Sequence, residues 1–356
     1  MNGDTRPIRD EERFDTPALA SYLEAQGFLR GRAIAVEQFP GGHSNLTYLI
    51  RLDGGGAAEE FVLRRPPLGP VAPKAHDMVR EARILQALHP FFRPAPRPFL
   101  ICEDAAVIGA PFYIMERRNG IVVRRENPPE IGGDTTVRRL VGEAMLDTLV
   151  ELHSIDVARA PLRELGKPDG FLERQLTGWF GRWQRARTRD LPVMDRLMDW
   201  LSKRMPPPQR AAMLHNDFKL DNVMLDRADP SRIVAVLDWE MSALGDPMID
   251  VGILLCYWPE AGDPPSRRDS ISPVTTMPGW PSRCDLIERY AARSALDLSG
   301  IGYYEVFAIF KVAVVLQQIY HRYHLGQTTD ERFAAMEQRV LGLIDIASDL
   351  TTRSAI

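Results

Sequence analysis

The fold of this chain is decided by the stretch Leu214-His215-Asn216-Asp217-Phe218-Lys219-Leu220-Asp221-Asn222. One acid, Asp217, precedes an amide, Asn222, by five residues, and a second acid, Asp238, follows sixteen residues after the amide. Asp and Asn are common in turns, where their side chains bond nearby backbone groups, so each residue alone would be weak evidence for a site. Because the three flank a predicted hairpin at short distances along the chain, they together indicate one shared site.

A β-hairpin is predicted between Asn222 and Asp238. Residues 223–226 and the β-branched, apolar residues 233–237 form its strands, and residues 227–231 form its turn. If the strands pair antiparallel, Asn222 lies beside Asp238, and their oxygens suit a hard cation such as Mg²⁺. Asp217, in the preceding loop, can face the same cation position from the substrate side. Phosphoryl transfer requires such an arrangement, in which one carboxylate orients a hydroxyl while an amide and a second carboxylate hold magnesium against ATP.

A glycine-containing loop lies near the beginning of the chain. It has the sequence Pro-Gly-Gly-His-Ser-Asn at residues 40–45, between predicted strands at residues 34–39 and 46–51. Glycines allow a hairpin backbone to approach phosphates closely, and Ser and Asn can add polar contacts. The loop matches neither the Walker A nor the GxGxxG pattern, so a plain hairpin turn is the alternative. Its candidate nucleotide-binding residues are Gly41, Gly42, Ser44 and Asn45.

A strand and a helix follow this loop. Residues 61–65 predict a strand that ends in Arg64 and Arg65. Residues 77–88 predict a helix, and Glu81 lies beside its apolar face, where it could pair with Arg64. The alternatives are that Glu81 pairs with neighbouring arginines on the helix surface and that Arg64 solvates the strand end. Solvation of the strand end is the favoured interpretation for Arg65. The apolar face of the helix consists of Met78, Ala82, Leu85 and Leu88.

These motifs resemble the aminoglycoside phosphotransferase and choline kinase-like family. The resemblance rests on residues 215–222, on Leu-Asp-Trp-Glu at 237–240 and on Gly-Asp-Pro-Met-Ile-Asp at 245–250. It extends in particular to the kinase-like domain fused to some long acyl-CoA dehydrogenases and to its free-standing bacterial relatives. It implies an α+β, bilobal protein-kinase-like fold. A small β-rich nucleotide-binding lobe would span residues 1–118, and a larger, mostly helical catalytic and acceptor-binding lobe would span residues 119–356.

The resemblance also implies roles for residues of the N-terminal lobe. The glycine-containing loop would cover the nucleotide. Arg64 stands where kinases commonly have a lysine, and it would contact the ATP phosphates while Glu81 positions it. The strand predicted at residues 111–117 would lead into the hinge between the lobes, whose backbone would bond the adenine. Met115 would wall the adenine pocket, with Glu116 beside it.

In the C-terminal lobe, the resemblance makes Asp217 the catalytic residue, which orients the acceptor hydroxyl. Asn222 and Asp238 would bind Mg²⁺, and ATP would be the phosphoryl donor. His215 would brace the loop. For Glu240, a metal ligand and a structural contact are both possible roles. For Lys219, the alternatives are neutralisation of the transferred phosphate and a position on the loop surface. His153, Asp246 and Asp250 are expected to be structural.

Several helices are predicted around the hairpin. Residues 137–153 form one, whose apolar face would carry Leu140, Ala144, Leu149 and Leu152. Residues 171–205 are also predicted to be helical, with aromatic side chains that suit either core packing or an acceptor site. Residues 306–316 predict a buried core helix, too short and too interrupted by Lys311 to span a bilayer.

The composition of the chain argues against nucleic acid and anionic membranes as partners. The chain has 356 residues, 45% of them hydrophobic, and a net charge of −4, so no basic excess points to nucleic acid or to an anionic membrane. The three cysteines lack CxxC spacing, and residues 1–7 are polar and without a signal-peptide core. A cytoplasmic enzyme is therefore expected.

The acceptor is the open question. The resemblance suggests a small molecule with a hydroxyl group, such as a hydroxyacyl-CoA, and a functional link to an acyl-CoA dehydrogenase. An aminoglycoside or other antibiotic is the alternative, and a strongly acidic acceptor site would favour it because aminoglycosides are polycations. Choline, sugar and amino-alcohol acceptors also stay open. A catalytically silent, nucleotide-binding pseudokinase scaffold is a further alternative, supported by the arginine at position 64.

Overall fold

The chain folds into two compact units. The structure is a computed structural model that describes residues 4–40, 45–53, 59–68, 76–159, 161–270, 272–328 and 331–353. The first unit comprises the chain up to Asn119 together with Ala235–Glu240, and the second comprises Gly120–Val234 and the chain from Met241 onward. Helices and antiparallel strands are mixed along the chain, so the fold is α+β, as the family resemblance implies.

The first unit is built on a five-stranded antiparallel sheet. The elements of this unit are α1 (Thr16–Ala25), β1 (Ala33–Gln38), β2 (Leu46–Asp53), β3 (Glu59–Arg65), α2 (Met78–Leu88), β4 (Pro98–Cys102) and β5 (Phe112–Glu116). The strands lie in the order β1-β2-β3-β5-β4. Apolar side chains on one face of the sheet pack against Leu19 and Leu23 of helix α1 and form the core of this unit.

Helix α2 packs against β4 and β5. Asp77 caps it by accepting the Arg80 N–H at 2.9 Å. The predicted apolar face of this helix is buried, and Glu81 is buried with it, at 1% exposure. The alternative of a surface ion pair for Glu81 is therefore wrong.

Arg65 is also buried, which contradicts the expectation that it solvates the strand end. It is 4% exposed, and its guanidinium lies 5.8 Å from the centroid of the Phe14 ring. Neighbouring residues of a strand point to opposite faces of the sheet, so Arg64 and Arg65 enter different environments. Burial lowers the pKa of Arg65.

The second unit is mostly helical. Elements from Gly120 onward are β6 (Ile121–Val122), α3 (Pro129–Gly132), α4 (Thr135–His153), α5 (Phe171–Ala186), α6 (Pro192–Lys203), β7 (Ala212–Leu214), β8 (Val223–Leu225), β9 (Ile233–Val236), β10 (Ala243–Gly245), α7 (Met248–Cys256), α8 (Pro265–Ser270), α9 (Arg283–Ser294), α10 (Ile301–His324) and α11 (Met336–Arg353). β7 and β10 form a two-stranded sheet, and β6, β8 and β9 form a three-stranded sheet in that order. The chain passes from the second unit to the first within β9.

The predicted apolar face of α4 is partly wrong. Leu149 and Leu152 are fully buried, but Leu140 is 42% exposed and Ala144 is only half-buried. At about 100° per residue, a separation of nine positions places Leu140 and Leu149 on opposite sides of the helix. The buried apolar side chains of α4 are instead Val141, Met145, Leu146, Leu149 and Leu152.

Helix α10 is longer than predicted, with 24 residues rather than the eleven of residues 306–316. Its central run is buried, as expected for a core helix. α7 packs closely on it, because a Cβ added at Gly252 would lie 2.5 Å from the Tyr304 carbonyl oxygen. Among the described residues, no helix has the length and apolar character needed to cross a membrane.

Candidate active site

Asp250 of α7 holds the backbone of the loop that carries Asp217. Its Oδ1 accepts the Asn216 N–H and its Oδ2 accepts the His215 N–H, both at 2.7 Å. Burial works to raise the pKa of Asp250, but hydrogen bonding and charge from His153, together with His215, lower it below its usual value. The predicted supporting role of Asp250 agrees with these contacts.

Two histidines brace the same loop. His215 is fully buried, and its Nδ1 accepts the Asp217 N–H at 3.3 Å. His153 is the last residue of α4, and its Nε2 lies 3.2 Å from Asp250 Oδ2 while its Nδ1 lies 2.7 Å from the Tyr290 hydroxyl. These are contacts of structural residues, as predicted from the sequence.

Asp217, Lys219 and Asn222 form one network in the second unit. Lys219 Nζ lies 3.0 Å from Oδ1 and 2.8 Å from Oδ2 of Asp217. Asn222 Nδ2 donates to Asp217 Oδ2 at 2.8 Å and to the Asp217 carbonyl at 2.9 Å. Because the amide nitrogen of Asn222 faces Asp217, its amide oxygen points away and is the atom that suits a cation. Oδ1 of Asp217 has a second lone pair with which it can accept a hydroxyl.

Lys219 is held as a cation beside Asp217. Its Nζ lies 4.7 Å from the centroid of the Tyr257 ring. Burial works to lower the pKa of Lys219, but Tyr257, Asp217 and Asp221 raise it above its usual value. The pairing with Asp217 therefore describes Lys219 better than a position on the loop surface.

Burial is the main influence on the acid next to Asn222. It raises the pKa of Asp221, and Asp217 adds to this effect, whereas Lys219, Arg124 and Arg125 oppose it.

In the first unit, Arg64 of β3 lies between two acids. Its NH1 lies 3.2 Å from Glu81 Oε1, and its NH2 donates to Asp238 Oδ1 at 3.0 Å. The predicted Arg64–Glu81 ion pair is thus present, and the contact with Asp238 adds to it. Glu81 Oε1 also accepts the Trp239 N–H at 3.1 Å. Asp238 has a φ of 68°, a left-handed conformation that non-glycine residues rarely adopt and that often occurs at functional sites.

The charge of Arg64 is stabilised by this environment. Burial works to lower its pKa, but Glu81, Tyr113 and Asp238 hold it well above the usual value. Tyr113 is the residue of β5 directly opposite Arg64. The buried Nε of Arg64 has no acceptor among the residues that the structure describes. A phosphate oxygen would satisfy this donor, so Arg64 fits the predicted phosphate contact.

Asn45 is engaged by two side chains of the first unit. Its Nδ2 donates to Glu240 Oε2 at 2.9 Å, and its Oδ1 lies 2.9 Å from His76 Nδ1. Of the two roles considered for Glu240 from the sequence, the structural contact is therefore present. The predicted nucleotide contact of Asn45 would require its amide to exchange these partners. Gly41, Gly42 and Ser44 lie outside the described residues.

Met115 and Glu116 end strand β5. Met115 is buried at 7% exposure and pairs with Val62 of β3. The Glu116 N–H donates to the Arg97 carbonyl at 2.8 Å, and Glu116 Oε2 lies 2.9 Å from Arg118 NH2. Since the N–H of Glu116 is already bonded, a contact of this residue with adenine would use its carbonyl group.

The structure groups the candidate residues by unit. Arg64, Glu81 and Asp238 form one network in the first unit, and Asp217 and Asn222 belong to the other network in the second unit. The sequence analysis missed three residues that interact with this region. Tyr113 lies opposite Arg64, Tyr257 lies beside Lys219, and Lys311 donates to the Asn216 carbonyl. Of these, Lys311 had a visible signal, because it is the one charged residue in the apolar run 306–316.

Comparison with known proteins identifies the family of this chain. Residues 35–282 match the sequence pattern of the phosphotransferase enzyme family, which is well over half of the chain. The chain belongs to the phosphotransferase enzyme family. The prediction of an enzyme that transfers a phosphoryl group to a small molecule is thereby confirmed.

Proteins similar to this phosphotransferase include acyl-CoA dehydrogenase family members and solved structures of phosphotransferases. Acyl-CoA dehydrogenase family member 10 of Mus musculus is 33% identical over 98% of this chain, and member 11 of Homo sapiens is 31% identical over 99%. The chain spans only 32% and 45% of the lengths of these two proteins. A solved structure from Ralstonia eutropha JMP134, named as an aminoglycoside phosphotransferase, is 30% identical with a TM-score of 0.78, covering 96% of this chain and 99% of that chain. Choline kinase from Cryptosporidium parvum, at 14% identity and a TM-score of 0.59, covers 94% of this chain and 98% of its own and shares the fold.

Proposed function

We propose that this phosphotransferase uses ATP and Mg²⁺ to phosphorylate a hydroxyl group of a small molecule. The observation that carries the proposal is the locked pair of Asp217 and Asn222, five residues apart and joined by two hydrogen bonds. Bound Mg²⁺ would neutralise charge on the phosphates, and ATP would supply the phosphoryl group. Residues 1–118 would bind the nucleotide, and residues 119–356 would carry the catalytic loop and the acceptor site.

The residues of the catalytic loop would act on the acceptor. Asp217 Oδ1 would accept the hydrogen bond of the acceptor hydroxyl and then its proton. Lys219, which contacts both oxygens of Asp217, fixes the direction of the carboxylate. The amide oxygen of Asn222 and the carboxylate of Asp238 would be the protein ligands of the metal.

On the nucleotide side, Arg64 would contact the phosphates. Its fixed position between Glu81 and Asp238 supports this role, because a guanidinium held in place loses little freedom when it binds an anion. Met115 and Glu116 would border the adenine site. Most of the rate enhancement would come from positioning and charge neutralisation.

A hydroxyacyl-CoA is the proposed acceptor, and an aminoglycoside is the alternative. The names of the two mammalian relatives support a functional link to an acyl-CoA dehydrogenase, whose substrates carry the same group.

The test is magnesium-dependent release of ADP from ATP with a panel of acceptors. The panel contains hydroxyacyl-CoAs, the matching hydroxyacyl-pantetheines, aminoglycosides and choline. Turnover with a hydroxyacyl-CoA that is lost in Asp217→Asn would support the proposal, and a weaker response to the pantetheine would support recognition of the phosphates. Turnover with aminoglycosides alone would refute the acceptor. Binding of ATP without turnover on any of them would favour the pseudokinase scaffold.

A further inference from the structure

Lys311 is a buried cation that the proposed mechanism does not use. It lies in the middle of α10, at 6% exposure, between the buried apolar residues Phe310 and Val312. Its Nζ donates to the Asn216 carbonyl at 2.5 Å and lies 5.7 Å from the centroid of the Trp179 ring. A buried ammonium is unfavourable unless it has partners, so these two contacts explain how the helix accommodates it.

The acceptor of this hydrogen bond is the residue immediately before Asp217. Asn216 has a φ of 63°, in the left-handed region. Three of its polar groups are bound: the N–H by Asp250 at 2.7 Å, the side-chain Nδ2 by the Met241 carbonyl at 3.0 Å, and the carbonyl by Lys311. These bonds hold the residue in a left-handed conformation, which asparagine adopts more readily than most other residues.

The carbonyl of Asn216 and the N–H of Asp217 belong to one planar peptide group. Lys311 binds this group at its oxygen, and His215 Nδ1 binds it at its nitrogen, at 3.3 Å. Rotation of the peptide is thereby fixed from both ends. The peptide orientation in turn sets the direction in which the Asp217 side chain leaves the backbone.

We propose that Lys311 is a positioning residue for catalysis, which holds the Asn216 carbonyl so that the Asp217 carboxylate faces the acceptor hydroxyl. The proposal rests on the proposed role of Asp217. Lys311 touches neither substrate in this scheme, and its effect reaches the reaction only through the peptide before Asp217.

The charge of Lys311 is unfavourable in the folded chain. Burial lowers the pKa of Lys311 from 10.5 to about 8, and Lys219 adds to this, while Asp217, Asp250 and Cys256 oppose it. A base with a lowered folded pKa binds its proton less tightly in the folded chain than in the unfolded chain. Its charge therefore costs stability below about pH 8, and the wild type gains stability as the pH rises from there toward 10.5.

The experiment compares Lys311→Met and Lys311→Gln with the wild type. Methionine keeps much of the side-chain volume but cannot donate, and glutamine keeps a neutral donor. We expect kcat of Lys311→Met to fall about 10- to 100-fold, with KM for ATP and for the acceptor within about twofold, because misorientation affects the chemical step. Lys311→Gln is expected to recover most of kcat.

Gln317→Met is the matched control. Gln317 lies on the same helix, is 3% exposed and donates to the Ala186 carbonyl at 2.9 Å, so its replacement also removes a buried donor from a backbone carbonyl. It is expected to leave kcat within about threefold of the wild type. A Lys311→Met variant that keeps kcat within the same range, or a control that loses as much, would overturn the proposal.

One further measurement separates this proposal from the proposed function. If no acceptor supports turnover, hydrogen exchange of the peptide 215–222 is the readout. We expect faster exchange in Lys311→Met than in Gln317→Met, and equal exchange in both would overturn the positioning role.

Discussion

The replacement Glu81→Gln tests whether burial or the ion pair controls the site in the first unit. Glu81 is 1% exposed and lies 3.2 Å from Arg64. Burial raises its pKa from 4.5 to about 7, with Asp238 and Glu240 adding to the effect and Arg64 opposing it. Glutamine has nearly the same shape, but it does not titrate.

The magnitude follows from the difference between the two pKa values. The folded chain holds the proton of Glu81 more tightly than the unfolded chain, so the contribution of Glu81 to stability is fully present below pH 4.5 and is lost as the pH rises through 7. At about 1.4 kcal/mol per pH unit, the total change is about 3 kcal/mol. The free energy of unfolding of the wild type, relative to Glu81→Gln, should therefore fall by this amount between about pH 4.5 and pH 8.

The assay is urea unfolding of both proteins at pH 5, 6, 7 and 8, with EDTA present so that no metal alters the charges around Asp238. Trp239 is the one tryptophan of the first unit, and its backbone N–H donates to Glu81. A variant in which the other five tryptophans are replaced by phenylalanine would report on this unit by fluorescence.

Glu103→Gln is the control for this measurement. Glu103 pairs with Arg83 on the surface, where the side chains are 63% and 61% exposed. Removal of such a pair is expected to change the free energy of unfolding by less than about 1 kcal/mol at every pH. If the difference between the wild type and Glu81→Gln is independent of pH, or if the wild type gains stability as the pH rises, the ion pair with Arg64 outweighs burial and our reasoning is wrong.

Three other replacements have definite expected results. Gly252→Ala should lower the free energy of unfolding, measured with urea, by about 2 kcal/mol, because the new Cβ would lie 2.5 Å from the Tyr304 carbonyl oxygen. Gly178→Ala is the control and should raise the free energy of unfolding by up to about 1 kcal/mol, because no atom lies within 4 Å of its new Cβ. Asp250→Asn should cost about 3 kcal/mol at pH 7, because an amide can accept with only one atom and its nitrogen would face an N–H donor; equal urea midpoints for variant and wild type would contradict this. Lys219→Met should reduce kcat about 10-fold or more in the ADP-release assay, and an unchanged kcat would rule out its orienting role.

Elements with a strong local pattern could be predicted from the sequence. The hairpin between Asn222 and Asp238 forms as strands β8 and β9, closed by the Asp226 N–H on the Arg232 carbonyl at 2.9 Å. The prediction of the buried face of α2 is also confirmed, because Asp77 marks the helix start and apolar residues recur at helical spacing. The predicted burial of Leu140 is wrong, because α4 has apolar residues at several positions and its sequence allows more than one choice of buried face.

The catalytic residues were named from spacing along the chain, and their roles stay predictions. By itself the sequence determined the residue types, the order of the elements and the family to which the chain belongs. Only the tertiary structure decided which side chains meet at long sequence distance. Arg64 meets Asp238 across 174 positions, and Lys311 meets the Asn216 carbonyl across 95. Such contacts depend on how helices and sheets pack, and no periodicity or turn signal specifies the partner that a buried charge acquires when packing removes it from water.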